Sequence, residues 1–222
     1  MSAILERTSR GGRFIPALIL CLLVPGCIDS DTADDNASNT EVIVVSMQAA
    51  EGQATTATGS DLFSDVCLNP DNIVGFCSVT NDNAIVELQA FRKDQSQLAS
   101  FPNNVVFERY RVTYIRSDGR NVPGTDVPYA FDGVANFVVT VDSASVVRPF
   151  IVVRHQAKVE APLVQLKQVQ VTTGGSIGGG GALVLSTIAQ IDFYGHDVAG
   201  RTVQVTGYLN VVFANFADSQ GP

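Results

Sequence analysis

The chain carries few of the groups that enzymes use. It has two histidines, His155 and His196, and no Cys-x-x-Cys pair. Nucleophilic catalysis needs a base beside Ser, Cys or Thr, so candidates for that base are few. Positive charge is also scarce. Lys and Arg number 14 against 22 Asp and Glu, a net charge of −8. Nucleic-acid binding is disfavoured, because phosphates are held by basic patches. No apolar run reaches the roughly 20 residues of a transmembrane helix. Beyond the first thirty or so residues no helical period of about 3.6 persists, which argues against helical bundles.

What is present begins with an address. Arg7, Arg10 and Arg13 precede an apolar run from Phe14 to Val24, the charged and apolar parts of a secretory signal. The run ends in Val24-Pro25-Gly26-Cys27, which resembles the lipobox of bacterial lipoproteins. The resemblance implies a signal peptide over residues 1–26 and Cys27 as the first mature residue. It further implies a diacylglyceryl group on the Cys27 thiol and an acyl chain on the new amino group. Two or more chains hold a protein on a membrane, where one chain binds reversibly. The implied partner is therefore membrane lipid, through Cys27. Ile28, not Asp, follows the cysteine, and in that family this favours the outer membrane. The other reading is an ordinary cleaved signal with an incidental cysteine.

Removing residues 1–26 takes away three Arg and one Glu, leaving 11 basic against 21 acidic residues and a net charge near −10. An acidic surface suits solubility outside the cytoplasm. Cys21 leaves with the signal, and Cys67 and Cys77 remain, ten positions apart. In an oxidising compartment they read as one disulfide. Metal ligation is the alternative, and it needs further ligands. Residues 27–40 read as a lipidated cysteine and a flexible tether rich in Asp, Asn, Ser and Thr. Its Asp29, Asp31, Asp34 and Asp35 lack EF-hand spacing.

From Glu41 to Pro222 the pattern is that of a single all-β domain. Strands are expected over 41–49, 84–91, 105–116, 135–141, 149–159, 163–173, 185–193 and 203–213. Within them Ala84, Val86, Leu88 and Ala90 share one face, as do Val106, Tyr110, Val112 and Tyr114. His155 falls in phase with Ile151, Val153, Ala157 and Val159, and so reads as a core histidine. Ser117-Asp118-Gly119-Arg120 is a tight turn in which Gly119 takes positive φ. Pro123 and Pro128 mark a loop or edge, and Gly174–Gly181 a connector. That glycine run has no following Lys-Ser/Thr and so is no phosphate cradle.

Eight or nine short strands argue for an antiparallel β-sandwich. The pattern resembles immunoglobulin and fibronectin type III modules. It lacks their tryptophan, and Cys67 and Cys77 are too close for an immunoglobulin inter-sheet bridge. The closing stretch from Ile188 to Phe213 is similar to the end of bacterial lipoproteins of unassigned function.

No catalytic residue and no cofactor is expected. The expected function is a non-enzymatic, membrane-anchored envelope lipoprotein that binds an unknown protein or surface polymer, or has a structural role. Loops such as Cys67–Cys77 or Gly119–Gly133 would carry the contact. The alternative is a carbohydrate- or calcium-binding envelope protein. Its candidate calcium ligands are Asp118, Asp126 and Asp132, and its candidate sugar platform is Tyr110, Tyr114 and Tyr129.

Overall fold

The computed structural model describes residues 38–68, 77–94, 96, 103–168, 170–171 and 184–216. Cys27, the tether through residue 37, the turn at Asn69-Pro70-Asp71, the glycine connector and the tail after Phe216 lie outside the described residues. The described elements are β1 (Thr40–Ala50), β2 (Asp61–Asp65), β3 (Asp82–Arg92), β4 (Val105–Ile115), β5 (Phe131–Val139) and β6 (Val146–Val153). They continue with helix α1 (His155–Val159), a 3-10 helix (Leu163–Gln168), β7 (Gln170–Val171), β8 (Leu185–Asp197) and β9 (Thr202–Phe216).

Eight of these strands form two sheets, and β7 adds a short bridge to β9. The smaller sheet has the order β1-β3-β6, and the larger one β2-β9-β8-β4-β5. The larger sheet curls into a half-barrel. It is also mixed, where the strand pattern predicts a purely antiparallel sandwich. β2 runs parallel to β9, with Asp61 opposite Asn210 and Asp65 opposite Ala214. Strand β2 lies outside the strands expected from the sequence. It is five residues long, and one of its two inward positions is the buried hydroxyl of Ser64, so no apolar alternation announces it.

The inward residues of both sheets make the core. Phe107, Tyr110, Phe137, Phe150 and Phe193 meet there with ring centroids 5.2–6.2 Å apart, mostly edge to face. They come from β4, β5, β6 and β8, so the cluster ties the two sheets together. Each such pair adds about 0.5–1.5 kcal/mol beyond burial. Two tyrosines close the joint. The Tyr110 hydroxyl donates to the Ile151 carbonyl at 2.9 Å, and the Tyr114 hydroxyl to the Val152 carbonyl at 2.7 Å. Burial pushes both phenols above their ordinary value.

Four expectations need correction, each for a local reason. Val106 does not share the face of Tyr110, because a bulge at Glu108 shifts the register of β4 against β8 between Phe107 and Arg109. Val105 and Phe107 point inward before it, and Tyr110, Val112 and Tyr114 after it. Gly195 faces this bulge, and a Cβ there would collide with the Val106 carbonyl and Phe107 Cα. The strand expected over 149–159 ends at Val153, because β3 begins at its partner Asp82 and offers no ladder beyond. Instead the His155 N–H donates to Asn81 Oδ1 at 2.7 Å and opens α1. His155 is therefore exposed, not a core residue. Residues 163–168 form a 3-10 helix rather than a strand, since buried Leu163 and Leu166 recur at a spacing of three. Gly119 has φ +80°, as its turn requires.

Candidate functional site

The most buried polar cluster joins three elements. Lys158 of α1 places Nζ 2.8 Å from Asp82 Oδ2, with side-chain exposures of 1% and 5%. The Ser64 hydroxyl donates to the same oxygen at 2.6 Å, and the Gly52 N–H to Asp82 Oδ1 at 3.2 Å. A serine beside a lysine invites a nucleophilic reading. Ser64 has zero exposure, however, so no substrate reaches it. The cluster pins α1 and β2 to the start of β3. Sequence reasoning missed it, because an isolated lysine ordinarily reads as exposed.

Two of the three candidate calcium ligands, Asp118 and Asp132, are held by arginines. Asp118 accepts from Arg116 and Arg120 at 2.5 and 2.8 Å. Those bonds hold its carboxyl well below the usual range, Arg116 contributing most. Asp126 accepts from the Val122 N–H at 3.1 Å, inside its own turn. Asp132 lies on β5, 3.1 Å from Arg111 and 3.7 Å from Arg109. Among the described residues, no three Asp, Glu, His or Cys side chains come together as a metal set. Cys67 and Cys77 are bonded to each other, with Cα atoms 5.0 Å apart.

His196 ends β8. Its Nδ1 lies 3.0 Å from the Asp197 carbonyl and its Nε2 3.2 Å from Glu108 Oε1. The first contact and then the second raise it above its ordinary value. Asp197 turns the opposite way, as neighbouring strand residues do, and its buried carboxylate accepts from Ser38 at 2.8 Å. Asp197 thus does not orient the His196 ring through its carboxylate. Of the three tyrosines of the candidate sugar platform, Tyr110 and Tyr114 are core and Tyr129 is exposed.

The outward face of the larger sheet gathers what the loops do not. Registered pairs lay its residues out in rows across the strands. Phe63, Val212 and Ser186 form one row, Asp61, Asn210, Ile188 and Ile115 the next, then Tyr208, Gln190 and Thr113. Further along, Arg109 lies over the Tyr194 ring at 4.0 Å. A depression of about 400 Å³ opens over the first two rows, lined by Asp61, Phe63, Ser117, Ser186, Ile188 and Asn210 among others. Phe63 is half exposed, and its ring meets Phe216 edge-on at 5.8 Å. Asn210 Nδ2 donates to Asp61 Oδ1 at 2.9 Å. Tyr208 stands 60% exposed beside them. The sequence signal for this face is the polar parity of β9, Gln204, Thr206, Tyr208 and Asn210, which alternates with its core residues.

No helix among the described residues is long and apolar enough to cross a membrane. No family model, no curated protein and no solved structure matches the chain.

Proposed function

We propose that the chain is a non-enzymatic, lipid-anchored protein of the bacterial cell envelope, with the outer membrane favoured. Its immunoglobulin-like sandwich binds a protein or a surface polymer. One observation carries the reading: Val24-Pro25-Gly26-Cys27 closes an apolar run that follows Arg7, Arg10 and Arg13. The Cys67–Cys77 disulfide supports an oxidising compartment. The buried polar groups Asp82, Lys158 and Asp197 are engaged in holding the fold, which leaves recognition to the surface.

The test is fractionation and protease shaving of intact cells expressing the wild type and Cys27→Ser. A membrane-bound wild type and a soluble variant support the anchor. Equal solubility of both sinks it. A second reading, carbohydrate binding, is favoured by the outer-face depression with its half-exposed phenylalanine and its Asp–Asn pair.

A further inference from the structure

We infer that the depression over β2, β9 and β8 is a binding subsite for a neutral oligosaccharide, with Phe63 as stacking platform and the Asp61–Asn210 pair as hydroxyl reader. It deepens the carbohydrate-binding reading above and rests on that reading.

The chemistry of the lining decides the ligand. A sugar ring offers a C–H face and a rim of hydroxyls, so its site needs an aromatic plane beside both donors and acceptors. Phe63 supplies the plane, held in place by Phe216. Asp61 supplies carboxylate oxygens, and Asn210 an amide that both donates and accepts. The Ser117 and Ser186 hydroxyls make no hydrogen bond among the described residues, and both line the depression. The lining holds one carboxylate and no cation. With the chain's net charge of −8, this disfavours anionic ligands such as phosphates and acidic polymers. A cationic peptide would have only the single carboxylate of Asp61 to meet.

The layout also suits a chain of sugars rather than one. Asn210 lies between the Phe63 row and the Tyr208 row along β9. Four residues along a strand and one strand across place the two aromatics about 14 Å apart. A ligand that stacks on both therefore passes over the Asp–Asn pair.

The experiment is calorimetry of the purified protein in detergent with cellotetraose, chitotetraose, xylotetraose and maltotetraose. In parallel, amide shifts of the wild type are mapped by NMR. One tetraose is expected to bind and to move amides of 61–63 and 208–212. Phe63→Ala and Asn210→Ala are each expected to weaken it about tenfold, the effect of losing one stacking or hydrogen-bond contribution. Tyr129→Ala, an exposed aromatic elsewhere, is expected to leave it unchanged. Binding of no tetraose overturns the inference, as does binding that moves other amides or survives both substitutions. Capture of a Lys- or Arg-rich peptide in place of every sugar overturns it as well. Each of these failures leaves the fractionation of Cys27→Ser untouched, so the anchor reading is judged separately.

Discussion

Replacing Lys158 by Met probes a buried polar joint of the domain. Lys158 and Asp82 are 2.8 Å apart and almost wholly excluded from water. Met keeps most of the length of the stem and removes the charge. Asp82 then remains buried as an anion, with Ser64 and Gly52 as its donors. Breaking a buried pair from one side costs about 3–5 kcal/mol, because the partner's charge is left uncompensated. Asp82→Asn leaves the ammonium uncompensated and costs a similar amount. The double variant removes both charges, and the amide introduced by Asp82→Asn keeps most of the neighbouring hydrogen bonds. Its cost falls to about 1–3 kcal/mol, the scale of imperfectly paired neutral groups. In a domain of this size 1 kcal/mol moves Tm by about 2–4 °C. The single variants therefore melt about 6–20 °C lower than the wild type, and the double variant melts above both of them. Urea unfolding followed by far-ultraviolet circular dichroism reads the cycle, with the m-value as a check that the unfolded state is unchanged. Additive losses, or single losses below about 1 kcal/mol, would refute the buried coupling.

Three further outcomes follow from the same contacts. Reducing the Cys67–Cys77 bridge releases a loop whose closure contributes about 2–3 kcal/mol, and hydrogen exchange then rises first at β2; uniform acceleration across β4 and β8 would contradict this. Phe193→Ala empties the centre of the aromatic cluster and costs about 3–5 kcal/mol in urea unfolding, whereas Phe63→Ala at the surface costs far less. His196 is raised above its ordinary value by the Asp197 carbonyl and then by Glu108, so its contribution is complete below about pH 6.5 and is lost as pH rises through the higher folded value. Stability titrated upward from slight acidity declines over that window in the wild type, and His196→Gln flattens the decline; an unchanged slope would place the titrating group elsewhere.

Much of the sheet structure is legible from period two alone. Ala84, Val86, Leu88 and Ala90 in β3 are all buried on one face, and Val203 to Phe213 in β9 alternate inward and outward as their sequence does. Legibility fails where a second rule intervenes. The β4 parity breaks at a bulge, and a bulge depends on the strands alongside, not on the sequence of β4. Residues 155–159 could extend a strand, but β3 ends as a partner at Asp82 and the chain coils instead. Lys158 reads as surface until an aspartate 76 positions away is placed beneath it. The candidate depression is illegible for the same reason. Asp61 and Asn210 are 149 positions apart, and only the parallel pairing of β2 with β9 makes them neighbours. The acids Asp118 and Asp132, by contrast, are visible at once; arginines two positions away hold Asp118, and Arg111 on the paired strand β4 holds Asp132.

Strand β2 is where stability and recognition meet. Its inward residues, Leu62 and Ser64, enter the core and the Asp82 cluster. Its outward residues, Asp61 and Phe63, face the depression. A five-residue parallel edge strand has few ladder bonds of its own, and parallel pairing is the weaker kind. Three devices compensate around it. The buried ion pair fixes its inner face through Ser64. The Val66 N–H extends the ladder to Ala214 at 3.0 Å. The disulfide begins at Cys67, two residues past the strand, and restrains the chain that leaves it. A lone surface loop would need none of these. Such reinforcement fits a strand whose exposed side must hold its geometry: an aromatic platform and an Asp–Asn pair recognise a ligand only when their spacing is fixed before it arrives.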